Sequence, residues 1–216
     1  MNVSRALRST GALLVLALST QAHAEKDAVA REIDELWNAL ETGDLKTFDA
    51  VLDRGVLDPT AFDRYKAHYT LCESTVPGNE PFLLSLLDHG VNPDNTHSEF
   101  GALDRNALAC ASTRYNLKAF DILLDAGADT TTNLCAPCED PRTIFTISSN
   151  MPPFSSRILE RRRLTAHEAQ NLAIQVERIS LANSHEGQPT WQWYQNLLRD
   201  EYGIDGLQPF SARERN

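Results

Sequence analysis

"LWNALETGDLKTFDAVLDRG", residues 36–55, opens on a leucine, breaks in the middle at "ETGD" and closes on Gly55. The same skeleton returns as "LCESTVPGNEPFLLSLLDHG", residues 71–90, and as "LACASTRYNLKAFDILLDAG", residues 108–127. In each stretch the closing glycine lies 19 residues after the first leucine. In the third, Leu108, Ala111, Leu117, Phe120, Leu123 and Leu124 fall on helical spacing, interrupted at "RYN". Two short helices joined by a tight turn fit this pattern, the second ending at a glycine able to adopt a left-handed C-cap. A single pair of this kind cannot bury its apolar face; stacked copies can.

The closing glycines recur at intervals of 35 and 37 residues. The segments "GDLKTFDAVLDRGV", "PFLLSLLDHGVNPD" and "NLKAFDILLDAGADTTT" resemble the second helix of the ankyrin repeat and the Gly-Ala-Asp that follows it. Leu36, Leu71 and Leu108 occupy the leucine of that family's Thr-Pro-Leu-His box. The resemblance covers about residues 28–162, counting a degraded fourth copy at "TIFTISSNMPPFSSRILERR". It implies an all-α ankyrin-repeat solenoid of helix-turn-helix units with long β-hairpin-like fingers. The organisation expected is a signal peptide over 1–24, about four repeats over 25–163 with the first and last degenerate, and a C-terminal helical cap and tail over 164–216.

The sequence also departs from the family pattern. The box reads Tyr69-Thr70-Leu71-Cys72 and Asn106-Ala107-Leu108-Ala109, so its histidine position holds Trp37, Cys72 or Ala109. Tyr115 stands where the turn between helices usually has glycine, which implies strain or a changed turn. From each closing glycine to the next box position there are 16, 18 and 17 residues, against about 14 in a 33-residue repeat. The extra residues fall in the fingers and point to a surface elaborated for binding.

After the repeats, "LTAHEAQNLAIQVERISLAN" places Thr165 and Glu168 at capping-box spacing, with Ala169, Leu172, Ala173, Val176 and Ile179 on one apolar face. A shorter helix opens at Pro189-Thr190 and brings Trp191, Tyr194, Leu198 and Tyr202 near one side. These two helices suit a cap, because a terminal unit needs a different outer face. The basic run "ERRRL", residues 160–164, reads as a favourable helix end rather than an anion site.

At the N-terminus, Arg5 and Arg8 precede the apolar run "GALLVLALS", and "AHA" supplies small residues before Glu25. This is the order of features in a secretory signal peptide, and the run is too short for a stable membrane-spanning helix. The mature protein is therefore expected to be soluble and periplasmic or secreted, with no membrane insertion. Removing Arg5 and Arg8 with no acid takes the net charge from −10 to −12. Such a chain repels nucleic acid and anionic lipid, and it is steered toward a basic partner.

Four cysteines, Cys72, Cys110, Cys135 and Cys138, suggest disulfides in an exported chain, paired 72–110 and 135–138. Two readings compete. A redox-active CxxC needs a helix N-terminus beneath it, whereas "CEDP" follows here; a four-cysteine zinc site usually shows two CxxC pairs, whereas one is present. No catalytic motif emerges, and His68, His89, His97 and His167 lie scattered. No enzyme, cofactor or metal is expected.

The resemblance implies protein binding at finger tips and at the concave ends of the first helices. Carried onto this chain, the finger candidates are Phe62, Arg64, Tyr65, His68, His97, Glu99, Phe100 and Arg105. The concave candidates are Glu41, Thr42, Val76, Pro77, Thr113 and Arg114. The implied function is non-catalytic binding by a chain that is a monomer when free, as an inhibitor or immunity protein against a secreted antibacterial toxin. The alternative is a periplasmic adaptor or stabiliser of an enzyme such as a catalase. Intact-mass measurement of protein recovered from periplasm should find Glu25 as the first residue; a species retaining Met1 would overturn the export reading.

Overall fold

The computed structural model describes residues 30–56, 64–95, 97–98, 104–135, 142–149, 151–182 and 188–204. They are mostly helical and fall into two compact units. Unit 1 holds α1, described over 30–42, with α2 (Leu45–Leu52), α3 (Arg64–Glu73) and α4 (Glu80–Asp88). Unit 2 takes the segment Thr75–Pro77 and everything from Asn92 onward. Its elements are strands β1 (His97–Ser98) and β2 (Asp104–Arg105) and helices α5 (Ala107–Thr113), α6 (Leu117–Asp125), α7 (Ile144–Ser148), α8 (Pro152–Leu159), α9 (Ala166–Ala182) and α10 (Gln188–Tyr202).

Each repeated window forms two helices with a turn where the sequence breaks. Local chemistry sets the helix starts. The Asp44 carboxylate accepts from the Thr47 N–H at 3.1 Å, Asn106 Oδ1 from Ala109 N–H at 2.9 Å, and Asn116 Oδ1 from Ala119 N–H at 3.1 Å. Helices α4 and α8 instead carry proline in the first turn, where the missing N–H has no intrahelical partner to lose.

The ends follow one pattern as well. At the close of α6, Gly127 has φ +85°; its N–H bonds Leu124 O at 3.1 Å, and the Ala128 N–H bonds Leu123 O at 3.0 Å. The turn after α5 makes the same pair, Tyr115 N–H to Ser112 O at 3.0 Å and Asn116 N–H to Ala111 O at 2.9 Å, with Tyr115 at φ 56°. The turn is therefore unchanged, and Tyr115 carries the strain of the left-handed region, about 1 kcal/mol.

Apolar residues from successive pairs meet inside each unit. In unit 1, α2 packs on α4, with Phe48 and Phe82 edge to face at 5.0 Å and Leu36, Val51, Leu71, Leu83 and Leu86 fully buried. In unit 2, α5 packs on α7 and α6 on α8 around Leu108, Phe120, Leu123, Phe145 and Ile158, all fully buried. Phe154 closes edge-on against Phe120 at 5.1 Å. Helix α9 then packs on α7, and α10 on α9. Of the expected α9 face, Ala169, Leu172 and Ala173 are buried; of the α10 residues, Tyr194 and Leu198 are buried. The Tyr202 hydroxyl accepts from Leu164 N–H at 2.7 Å. Val176, Ile179 and Trp191 are placed on their helices by the backbone alone.

The long hairpin fingers expected between the repeats are described only in part. Between α4 and α5 the ladder is two residues per strand, His97 opposite Arg105 and Ser98 opposite Asp104. Arg64, Tyr65 and His68 belong to α3, which begins seven residues before Leu71, and not to a finger. Between α6 and α7, Leu134 N–H bonds Arg142 O at 2.8 Å, and Asn133 Oδ1 accepts from both Cys135 and Arg142 N–H groups. The tips at 57–63, 99–103 and 136–141 lie outside the described residues.

Cys72, Cys110 and Cys135 are each disulfide-bonded, and no cysteine among the described residues is free. No helix among the described residues is long and apolar enough to cross a membrane. Thiol titration of denatured, unreduced protein should therefore find no reactive group, whereas four would refute the bonded state. Leu123→Ala should lower unfolding stability in a urea melt by about 2–5 kcal/mol, since the leucine is fully buried.

Candidate partner-binding surface

The strongest ionic chemistry of unit 2 is interior. Glu168 and Thr165 form the reciprocal cap expected from their spacing: Thr165 N–H reaches Glu168 Oε2 at 2.9 Å and Glu168 N–H reaches Thr165 Oγ1 at 3.2 Å. The Glu168 carboxylate is fully buried and receives two further groups. Arg162 donates to it bidentately at 2.7 and 2.8 Å, and the Thr143 hydroxyl donates at 2.6 Å. Arg162 also donates to Thr130, from Nε to Oγ1 at 2.6 Å and from Nη2 to the carbonyl at 3.1 Å, and from Nη1 to the Arg163 carbonyl at 2.9 Å. Burial alone would raise the Glu168 pKa, but Arg162, Thr143 and the Thr165 amide outweigh it and hold the carboxyl below its ordinary range. The network joins the N-cap of α7, the residues after α8, the loop at Thr130 and the start of α9. Every group in it is engaged by another part of the fold, so its role is to position elements.

Tyr194 has a comparable role. Its hydroxyl donates to the Ser149 carbonyl and lies 2.6 Å from Ser155 Oγ. Burial pushes its pKa up to about 12 against the opposing bond from Ser155. The phenol is thus a neutral pin between α10 and the turn joining α7 to α8.

A different surface forms where three turns of unit 2 meet. Arg114, at the end of α5, donates from Nη1 to Thr75 Oγ1 at 3.2 Å, and Asn116 Nδ2 donates to the Thr75 carbonyl at 3.0 Å. Asn116 is buried and also caps α6, so one side chain fixes both turns. The Tyr115 ring extends from the second turn toward the third and meets Phe154 edge-on at 6.5 Å. Tyr115 remains 75% exposed, the most exposed large hydrophobic side chain described. In the same three turns Pro77, Thr113 and Pro153 are exposed. Tyrosine offers a large, stiff contact area with a polar tip, the chemistry enriched in protein interfaces.

The expected site residues distribute unevenly. Thr113, Arg114, Val76 and Pro77 are brought together in the turn row, whereas Glu41 and Thr42 are exposed at the end of α1 in unit 1. His97 and Arg105 oppose each other across the short ladder, Arg105 exposed. Arg64, Tyr65 and His68 share α3, and Phe62, Glu99 and Phe100 lie outside the described residues. Tyr115 was absent from that set. Its signal was present in the sequence as a bulky residue at a position that favours glycine. Among the described residues no group of three His, Cys, Asp or Glu side chains could hold a metal ion.

No protein-family model, curated protein or solved structure matches the chain.

Removing Glu168 leaves Arg162 without its carboxylate. Glu168→Ala should destabilise by about 3 kcal/mol in a urea melt, at the lower end for a broken buried pair because solvent reaches Arg162. Since the folded pKa is lowered from 4.5, the wild-type contribution is present above that value and is lost as pH falls through the folded pKa. The variant should show a weaker acid dependence there; an unchanged acid limb would overturn this assignment.

Proposed function

We propose that this chain is an exported, non-catalytic protein-binding module built as an ankyrin-type solenoid, and that its partner is a secreted antibacterial toxin that it inhibits. The observation that carries the binding reading is Tyr115. Glycine would make the same turn without strain, yet the chain holds a tyrosine there and leaves it exposed. A backbone cost with no burial in return marks side chains retained for contact.

The scaffold beneath supports the reading. Thr75, Asn116 and Phe154 fix the three turns by hydrogen bonds and ring packing, so little order remains to be imposed when a partner docks. The partner class rests on less. An acidic chain of net charge −10 attracts basic proteins, and the disulfide-bonded cysteines fit an oxidising compartment. Repeated helix pairs closed by left-handed turns are the support for the ankyrin-type architecture, with α9 and α10 as its terminal cap.

Tyr115→Gly separates binding from stability. It relieves the left-handed strain and loses the edge contact to Phe154, so the melting midpoint should move by no more than about 1 kcal/mol equivalent in either direction. Affinity for the partner captured from periplasm should fall by about 2 kcal/mol in a calorimetric titration. Unchanged affinity would remove the turn row as the contact surface, and a turnover of the captured protein by this chain would remove the non-catalytic reading.

A further inference from the structure

In unit 2, two aspartates one turn apart on α6 face two cations 36 residues later. Asp121 Oδ1 lies 3.1 Å from Arg157 Nε, and Asp125 Oδ1 lies 2.5 Å from Arg161 Nη2. Unit 1 repeats the arrangement with different chemistry. Asp49 on α2 and Asp53 at its C-cap, also one turn apart, meet Ser85 and His89, again 36 residues later on and after α4. Ser85 Oγ donates to Asp49 Oδ1, and His89 Nε2 lies 3.2 Å from Asp53 Oδ1. The other ring nitrogen, Nδ1, lies 2.8 Å from the Ser85 carbonyl oxygen.

Both ring nitrogens of His89 therefore face oxygens that only accept. A neutral imidazole has one N–H and satisfies one of them; the imidazolium satisfies both. We propose that His89 is an acid-tightened fastener between α2 and α4, placed where unit 2 uses a permanently charged arginine between α6 and α8. The bond to the Ser85 carbonyl, then Asp53 and the charge of Asp49, raise its pKa above 6.5 against the effect of partial burial. From α2 and its C-cap the charged groups facing it are Asp49 and Asp53. On its own element Asp88 precedes it, and Arg54 beside Asp53 is occupied by Glu32 and Glu35 of α1.

The folded pKa is raised, so the stabilisation is complete below 6.5 and is lost as pH rises through the folded value. The charge also sits just after the last turn of α4, where a cation complements the helix dipole. Unit 1 thus gains grip as the surroundings acidify from neutrality, and the arginine rungs of unit 2 do not respond over that range.

The test uses the full chain labelled at histidine, with the His89 resonance identified by its loss in His89→Gln. In the wild type His89 should titrate above 6.5, and in Asp53→Asn it should move back toward that value. A wild-type titration at or below 6.5, or one that Asp53→Asn leaves unmoved, overturns the proposal. Hydrogen exchange supplies a readout that a merely structural histidine would not move. With intrinsic rates corrected, the opening constant of α4 amides should rise by about two- to fivefold from pH 6 to pH 8, the range for an exposed ion pair, while α8 amides stay constant. His89→Arg should abolish the pH dependence in α4. Persistence of that dependence in the arginine variant would place the titrating group elsewhere and overturn the assignment.

Discussion

Helices of eight or nine residues, such as α2, α4 and α6, are too short to be stable on their own. They persist because each pair leaves an apolar side that only another pair can cover, and that requirement governs the rest of the structure. Phe48 needs Phe82, and Phe120 needs Phe154; neither ring is covered by its own helix. Burying a phenylalanine contributes about 2–3 kcal/mol, more than any single surface ion pair offers. Apolar stacking therefore supplies the stability, and polar side chains select the register at which stacking occurs.

That division explains the spacing of the polar contacts. Asp49 with Ser85, Asp53 with His89, Asp121 with Arg157 and Asp125 with Arg161 all join residues 36 apart. A slip by one residue would break both rungs of a unit together. Asn116 serves the same end more tightly, since its buried amide caps α6 with its oxygen and holds Thr75 with its nitrogen. Glu168 does so for α7 to α9. Asn116 and Glu168 are buried, so a wrong alignment there would strand a donor or a carboxylate, an outcome that costs more than the correct bond contributes.

Much of this was legible before any coordinates. Gly55, Gly90 and Gly127 mark helix ends in the sequence and adopt positive φ in the structure, and Thr165 with Glu168 forms the cap its spacing announces. Those signals are local, so a short window contains them whole. The start of α3 was not legible: the Tyr69-Thr70-Leu71-Cys72 segment lacks the residues that would mark a helix entrance, and the helix runs back to Arg64. Loop length does not decide the hairpin fingers, because length fixes how much chain must be accommodated and not how it pairs, and the tips lie outside the described residues. Two partners were also invisible. His89 sits in the sequence as an isolated histidine, and Arg161 as part of a helix end, because the carboxylates they meet, Asp53 and Asp125, are set by register and not by neighbourhood.

Tyr115 combines both kinds of information. Its conformation is local, imposed by the turn closed through Ser112 and Ala111, while its exposure depends on what the neighbouring turns leave uncovered. Phe154 takes the edge of the ring, and solvent takes the rest. A side chain placed this way gains little from burial and costs something in backbone strain, which is set against the extra entropy a glycine would lose on folding. The interior carboxylate of Glu168 and the phenol of Tyr194 show the contrast: each is enclosed, fully engaged and explained by the fold. Tyr115 is the opposite case, 75% exposed and met by a neighbouring ring only edge-on.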